Sequence, residues 1–173
     1  MKFITSLLLF SLCIFQIKGD NSAKIVHFAK SKIGNGYMYK GTGQTLTEDY
    51  LNKMAKKYPN DIDPEIVKRW IGYPVYDCSG LVTKAFETIN VSIYHGANSA
   101  WLKTDWESTG EISNYPKDKV FILYRKNKSG TMSHTGIYIG GGKFIHAKSS
   151  EDGVVMENMP YTWTHWGIPK GLY

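Results

Sequence analysis

The spacing of apolar residues changes along the chain, and this change constrains the fold more than any other feature. In several segments between residues 22 and 89, apolar side chains recur at three and four residues, the period of amphipathic helices. From Val120 onward, short β-branched and aromatic runs with turn signals between them predict strands at 120–124, 134–139, 143–147 and 154–156. Helices first and strands last predict an α+β domain, with N-terminal helices packed on a C-terminal antiparallel sheet.

A glycine-rich stretch separates the first predicted helix from the later ones. The predicted helices cover residues 22–33, residues 47–57, a segment beginning at Asp63-Pro64, a segment from Cys78 to Ile89, and a short helix that follows a loop within residues 94–101. Residues 34–43 contain too much glycine for a helix and are predicted to form a structured loop that presents Tyr37 and Tyr39. Residues 44–72 either form a wall or lid of a cleft or decorate the surface.

The first nineteen residues differ in kind from the rest. A charged start is followed by the apolar run 3–17 and by Lys18-Gly19, which is typical of a secretory signal peptide cleaved near Gly19. The run is shorter than the roughly twenty residues that span a membrane. We therefore predict a secreted protein in which residues 20–173 form one domain without a membrane segment.

Cysteine usage points to a reactive thiol. Cys13 lies in the predicted signal peptide, so the mature chain holds only Cys78, in a compartment where cysteines usually pair. Cys78 directly precedes a helical apolar face, so its thiol would lie at a helix N-terminus, where the dipole favours the thiolate and lowers the pKa. These features predict a nucleophile. The alternative is an inert buried cysteine, the commoner role of a free thiol.

The charge of the chain is modestly positive. Loss of Lys2 and Lys18 with the signal peptide lowers the formal net charge from +6 to +4. Such a surface favours anionic partners such as cell-wall polymers, or serves solubility alone. The basic residues are scattered and match no nucleic-acid motif, so no nucleic-acid partner is expected.

Two histidines lie in the predicted strands around the glycine turn. If Ile139 faces Lys143 across that turn, Gly136 lies opposite His146. Side chains alternate faces along a strand, so His134 shares its face with Gly136 and lies diagonally from His146. The two imidazoles would then lie within reach of each other. A register shift of one residue would place them on opposite faces.

The histidine pair and the cysteine together form a catalytic hypothesis. One imidazole takes the proton of Cys78 while the other holds it in the right tautomer, as nucleophile, base and orienting residue do. Two alternatives stay open. The histidines are unrelated, or Cys78, His134 and His146 bind zinc with an open position, although no further cysteine or carboxylate lies at ligand spacing.

With these residues assembled, the chain resembles the NlpC-type family of papain-like cell-wall cysteine peptidases. The resemblance rests on Tyr37, on Asp77-Cys78-Ser79-Gly80-Leu81-Val82, and on the segments 133–140 and 143–147. It covers nearly all of residues 20–173 and implies a single NlpC-type catalytic domain with a papain-like fold. The segment between the tyrosine loop and Cys78 is longer than is common in the family.

The resemblance implies a role for each matching residue. Cys78 attacks an amide carbonyl, His134 is the general base, and His146 orients His134. Tyr37 lies beside the sulfur, and Asp77 and Ser79 hold the amino end of a peptidoglycan stem peptide.

The expected activity is hydrolysis of the γ-D-glutamyl–diamino acid bond of peptidoglycan or its muropeptide fragments, by a monomer without cofactor or metal. Alternatives are an N-acetylmuramoyl-L-alanine amidase, which cuts between the sugar and the first alanine, and a non-catalytic domain that binds wall fragments.

Overall fold

The computed structural model describes residues 21–159 and 162–173. The predicted signal peptide, residues 1–19, lies outside the described residues. Within the described ranges, no helix combines the length and apolar character needed to cross a membrane.

The predicted helices are confirmed, with small differences at their ends. They are α1 (Asn21–Ser31), α2 (Glu48–Lys57), α3 (Pro64–Val67), α4 (Cys78–Glu87) and α5 (Ala97–Lys103). Side-chain caps explain two of the starts. Thr47 accepts a hydrogen bond from the Tyr50 N–H ahead of α2, and Asp63 accepts one from the Glu65 N–H ahead of α3.

A six-stranded sheet follows the helices and confirms the α+β class. Its strands are β4 (Trp106–Glu111), β5 (Phe121–Lys126), β6 (Met132–Tyr138), β7 (Lys143–Ser149), β8 (Gly153–Asn158) and β9 (His165–Pro169). They lie in the order β4-β9-β5-β6-β7-β8, with every neighbouring pair antiparallel. The sequence did not predict β4 or β9. Because β9 lies between β4 and β5, the sheet is more than a simple meander.

A second, smaller sheet contains the tyrosine that was predicted to lie in a loop. It consists of β1 (Gly36–Tyr37), β2 (Thr42–Thr45) and β3 (Pro74–Tyr76), in the order β1-β3-β2 with β1 and β3 parallel. Tyr37 is therefore fixed beside Tyr76, its partner in β3.

The described residues form two apolar cores. The larger core lies between α1, α4 and α5 and the six-stranded sheet. The smaller core belongs to the segment 38–75 and consists of Met38, Leu46, Leu51, Met54, Ile62, Val67 and Val75. Adjacent residues of β3 point to different cores, since Val75 belongs to the smaller and Tyr76 to the larger.

Two hydrogen bonds fasten the segment 44–72 to the turn between β7 and β8. The Trp70 indole Nε1 donates to the Ser150 carbonyl over 2.7 Å, and Arg69 Nη1 donates to the Glu151 carbonyl over 3.1 Å. This segment is therefore a packed unit rather than surface decoration.

Candidate active site

Cys78 is the first residue of α4, as the sequence predicted. Asp77 caps the helix because its Oδ1 accepts the Gly80 N–H over 2.6 Å. Gly80 has no room for a side chain, since a Cβ there would collide with the Gly41 carbonyl. With Gly80 engaged by the cap, the N–H groups of Cys78 and Ser79 remain to face the unpaired, partly exposed thiol.

The expectation that the helix N-terminus lowers the thiol pKa is wrong for this site. Burial and the neighbouring Asp77 carboxylate raise the pKa of the Cys78 thiol to about 12. The backbone N–H groups of Cys78, Ser79 and Thr135 act in the opposite direction but do not overcome these effects. The resting sulfur is therefore a thiol, and a base must take its proton before or during attack.

The histidines lie on one face of the hairpin formed by β6 and β7, as predicted. Ile137 pairs with Ile145 and Tyr138 with Phe144, which is the register that the glycine turn implied. His134 Nε2 lies 2.8 Å from His146 Nδ1, a hydrogen-bond distance. Register and pairing are confirmed, and the alternative of two unrelated histidines does not fit.

A glycine makes this pairing possible. A Cβ on Gly136 would lie 3.0 Å from the Cβ of His146 and 3.2 Å from the Ile145 carbonyl. A side chain there would push β7 away from β6, so the glycine lets the two imidazoles approach each other.

Both imidazoles are buried and neutral. Burial, followed by the charges of His146 and Arg125, lowers the pKa of His134 to about 3. Burial also lowers the pKa of His146, although its contact with Glu157 opposes that change. Trp163 stacks on His134 with ring centroids 5.4 Å apart and planes 14° apart, so one face of the imidazole is shielded from solvent. A neutral imidazole keeps one nitrogen free to accept a proton.

The sulfur lies against the strand that carries His134. The backbone N–H of Thr135, the residue after His134 in β6, is close enough to stabilise the Cys78 thiolate, and α4 packs on β6. Because His134 Nε2 is engaged by His146, Nδ1 is the ring nitrogen that remains for the thiol proton.

A cleft of about 270 Å³ opens above the sulfur. Its lining includes four of the predicted site residues, Tyr37, Asp77, Cys78 and Ser79, together with Met132 and Ser133 of β6. Burial, followed by the nearby charges of Cys78 and Asp77, raises the pKa of the Tyr37 hydroxyl, which therefore stays protonated and able to donate.

Asp77 and Ser79 are engaged by internal hydrogen bonds. Asp77 Oδ1 accepts the Ser79 hydroxyl at 2.8 Å as well as the Gly80 N–H, while Oδ2 accepts the Lys40 N–H at 3.0 Å and contacts His95 Nε2 at 2.8 Å. These contacts with His95 and with backbone and hydroxyl donors hold the pKa of Asp77 below its usual value despite burial. The amino end of a stem peptide would have to compete with these donors for the Asp77 carboxylate.

A second, wider cleft of about 670 Å³ adjoins the first one at Tyr37. One wall comes from residues 59–64 and Ile66, and the other from residues 148–151 of the β7–β8 hairpin. The segment 44–72 therefore contributes a cleft wall, which decides the question that the sequence left open.

Sequence reasoning missed one polar contact of the histidine pair. Glu157 on β8 places Oε2 3.0 Å from His146 Nε2, and its Oε1 lies 3.0 Å from Lys148 Nζ. The strand around residue 155 was predicted, but its register was not. The acidic turn between β7 and β8 is compatible with several registers of the two strands, so the sequence did not show on which face of β8 Glu157 lies.

The zinc alternative does not match the geometry of the three residues. His134 and His146 direct ring nitrogens at each other, whereas two zinc ligands direct theirs at a common ion. Within residues 21–159 and 162–173, no group of three His, Cys, Asp or Glu side chains is placed to hold a metal ion.

Known proteins share both sequence and fold with this chain. A sequence model described as the NlpC/P60 family matches residues 34–167. "Probable endopeptidase p60" of Listeria grayi is 33% identical over 88 residues, which are 51% of this chain and 16% of that protein. "Murein DD-endopeptidase MepH" of Escherichia coli is 32% identical over 103 residues, 56% of this chain and 37% of that protein. The chain thus matches well under half the length of either relative.

A solved structure extends the likeness to the fold. The peptidoglycan hydrolase RipB of Mycobacterium tuberculosis superposes with a TM-score of 0.60 at 17% identity, covering 88% of this chain and 66% of that one. At this identity the similarity concerns the architecture.

Proposed function

The chain belongs to the NlpC/P60 family, and from this premise we propose that it is a cysteine endopeptidase that hydrolyses peptidoglycan stem peptides or their soluble muropeptide fragments. The observation that carries the proposal is a free thiol at the start of α4, packed against the strand that bears a hydrogen-bonded histidine pair. The relatives from Listeria grayi and Escherichia coli are both named as endopeptidases, which supports it.

The proposed reaction follows from the state of the two reacting groups. Cys78 rests as a thiol and His134 as a neutral imidazole, so Nδ1 of His134 accepts the thiol proton as the sulfur attacks the amide carbonyl. The same proton then passes to the leaving amine, and water hydrolyses the thioester. We propose that the N–H groups at the start of α4 and the Tyr37 hydroxyl donate to the oxyanion, since Tyr37 and Cys78 line the same cleft.

Within this activity, we propose that the scissile bond joins γ-D-glutamate to the diamino acid. The resemblance at Asp77 and Ser79 supports this choice, and the role of both residues in holding the stem's amino end stays a prediction. A second candidate is a bond between two D-residues, which the name of the Escherichia coli relative favours. Secretion rests on residues 1–19 alone, and the monomeric state also stays a prediction.

The test is a digest of purified peptidoglycan analysed by mass spectrometry, with the parent protein and Cys78→Ala compared. A stem truncated at γ-D-glutamate, with a new free amine on the released diamino acid, supports the γ-bond. Conversion of cross-linked dimers to monomers with intact stems supports the D,D-bond. Release of whole stems from the glycan indicates an amidase instead. If the parent and Cys78→Ala give the same products or none, the enzyme proposal is wrong and a binding domain is the better description.

A further inference from the structure

We propose that Glu157 is a positioning residue that fixes the tautomers of both histidines and thereby makes Nδ1 of His134 the basic nitrogen of the pair. The inference rests on the proposed function, in which His134 is the base. Its evidence is a continuous hydrogen-bonded row, with 2.8 Å between the histidines and 3.0 Å between His146 Nε2 and Glu157 Oε2.

The direction of each hydrogen bond follows from the end of the row. An ionised carboxylate only accepts hydrogen bonds, so His146 Nε2 must carry a proton. A neutral His146 then has a lone pair on Nδ1, which must accept from a protonated His134 Nε2. Since His134 is neutral as well, its Nδ1 carries the remaining lone pair.

The surroundings of Glu157 keep it ionised. Burial works against ionisation, but the hydrogen bonds from Lys148 and His146 outweigh it and hold the pKa of Glu157 below its usual value. The Lys148 ammonium lies 3.0 Å from Glu157 Oε1 and 3.7 Å from Asp152 Oδ2, so both carboxylates hold it beside Glu157. On the other side, Arg125 pairs with His134 across β5 and β6, and its charge disfavours a second proton on either imidazole.

Without the Glu157 carboxylate, nothing determines which histidine donates and which accepts in the hydrogen bond between them. His146 would then also populate the tautomer that donates from Nδ1 to His134, which places a proton on Nδ1 of His134. That form has no free nitrogen for the thiol proton. The loss should therefore fall on kcat, because substrate contacts in the sulfur cleft are unchanged.

The test compares the parent with Glu157→Gln, whose amide can present either an oxygen or an NH₂ group to His146. Glu87→Gln is the matched control, because it removes a similar 2.7 Å ion pair with Lys84 that involves neither His134 nor His146. The first readout is the nitrogen-15 chemical shifts of the two imidazoles, which separate protonated from unprotonated ring nitrogens. The second is kcat and KM on a stem peptide.

In the parent and in Glu87→Gln, we expect His146 protonated at Nε2 and His134 at Nε2. In Glu157→Gln, we expect mixed tautomers and a kcat lower by roughly tenfold to a hundredfold, the range seen for outer partners of metal-bound histidines, with KM within about twofold. Parent-like shifts in Glu157→Gln, or an unchanged kcat, would overturn the inference. If the parent cleaves no stem peptide, the proposed function fails, and the shifts alone decide the role of Glu157.

Discussion

Acid sensitivity of the fold gives a quantitative test of the buried histidine pair. Burial lowers the pKa of His134 from 6.5 to about 3, so the folded state resists a proton that the unfolded chain binds readily. Stability from this residue is complete above pH 6.5 and is lost as the pH falls towards 3. Between about pH 7.5 and pH 5, the loss from His134 is about 2 kcal/mol.

The other groups with shifted pKa values determine which two pH values should be compared. Asp77 and Glu157 also have lowered pKa values, but their contributions are lost mainly below about pH 4.5, so pH 5 separates them from the histidines. His146 and His165 have lowered pKa values too, which adds to the loss in the parent and persists in a variant that lacks only His134. The informative quantity is therefore the difference between the parent and that variant.

The assay is urea unfolding of the parent and His134→Gln at both pH values, with the exposed His27→Gln as control. We expect the parent and His27→Gln to lose about 2 kcal/mol more than His134→Gln between the two conditions. An equal loss in the parent and His134→Gln would refute the reasoning, because the buried neutral imidazole would then not be the source of acid sensitivity.

Three further substitutions test the close contacts around the site. Gly136→Ala should lower stem-peptide turnover by about tenfold, since its Cβ would lie 3.0 Å from that of His146 and shift β7; an unchanged rate would show that the strands adapt freely. Gly80→Ala should destabilise the protein by at least about 1–3 kcal/mol in urea unfolding, because its Cβ collides with the Gly41 carbonyl, and an unchanged midpoint would contradict this. Trp70→Phe removes the indole donor to the β7–β8 turn and should cost about 1 kcal/mol; a neutral result would show that this hydrogen bond adds no net stability.

The helical half and the hairpin were predictable because their signals are local. The caps Thr47 and Asp63 and the three- and four-residue periodicity mark the helices, and the glycine turn sets the register that brings His134 to His146. Strands β4 and β9 were not predictable from the same rules. Their pairing partners are distant in sequence, and their polar, glycine- and proline-containing segments have weak strand propensity.

The electrostatics of the site were less predictable than its geometry. The position of Cys78 at the start of α4 follows from the sequence, but its pKa depends on how deeply the surrounding chain buries it and on the adjacent Asp77. Burial is a property of the whole fold. The contact between Glu157 and His146 likewise required the register of β8, which no local signal fixes.

Strand β3 links the stability of the smaller core to the position of the nucleophile. Val75 packs in the smaller core and Tyr76 in the larger one, and Cys78 follows two residues after Tyr76. A substitution that loosens the smaller core can therefore displace Cys78 while the larger core stays folded. Such variants would lose turnover at temperatures well below the main thermal transition, with amide exchange rising first in the segment 38–75.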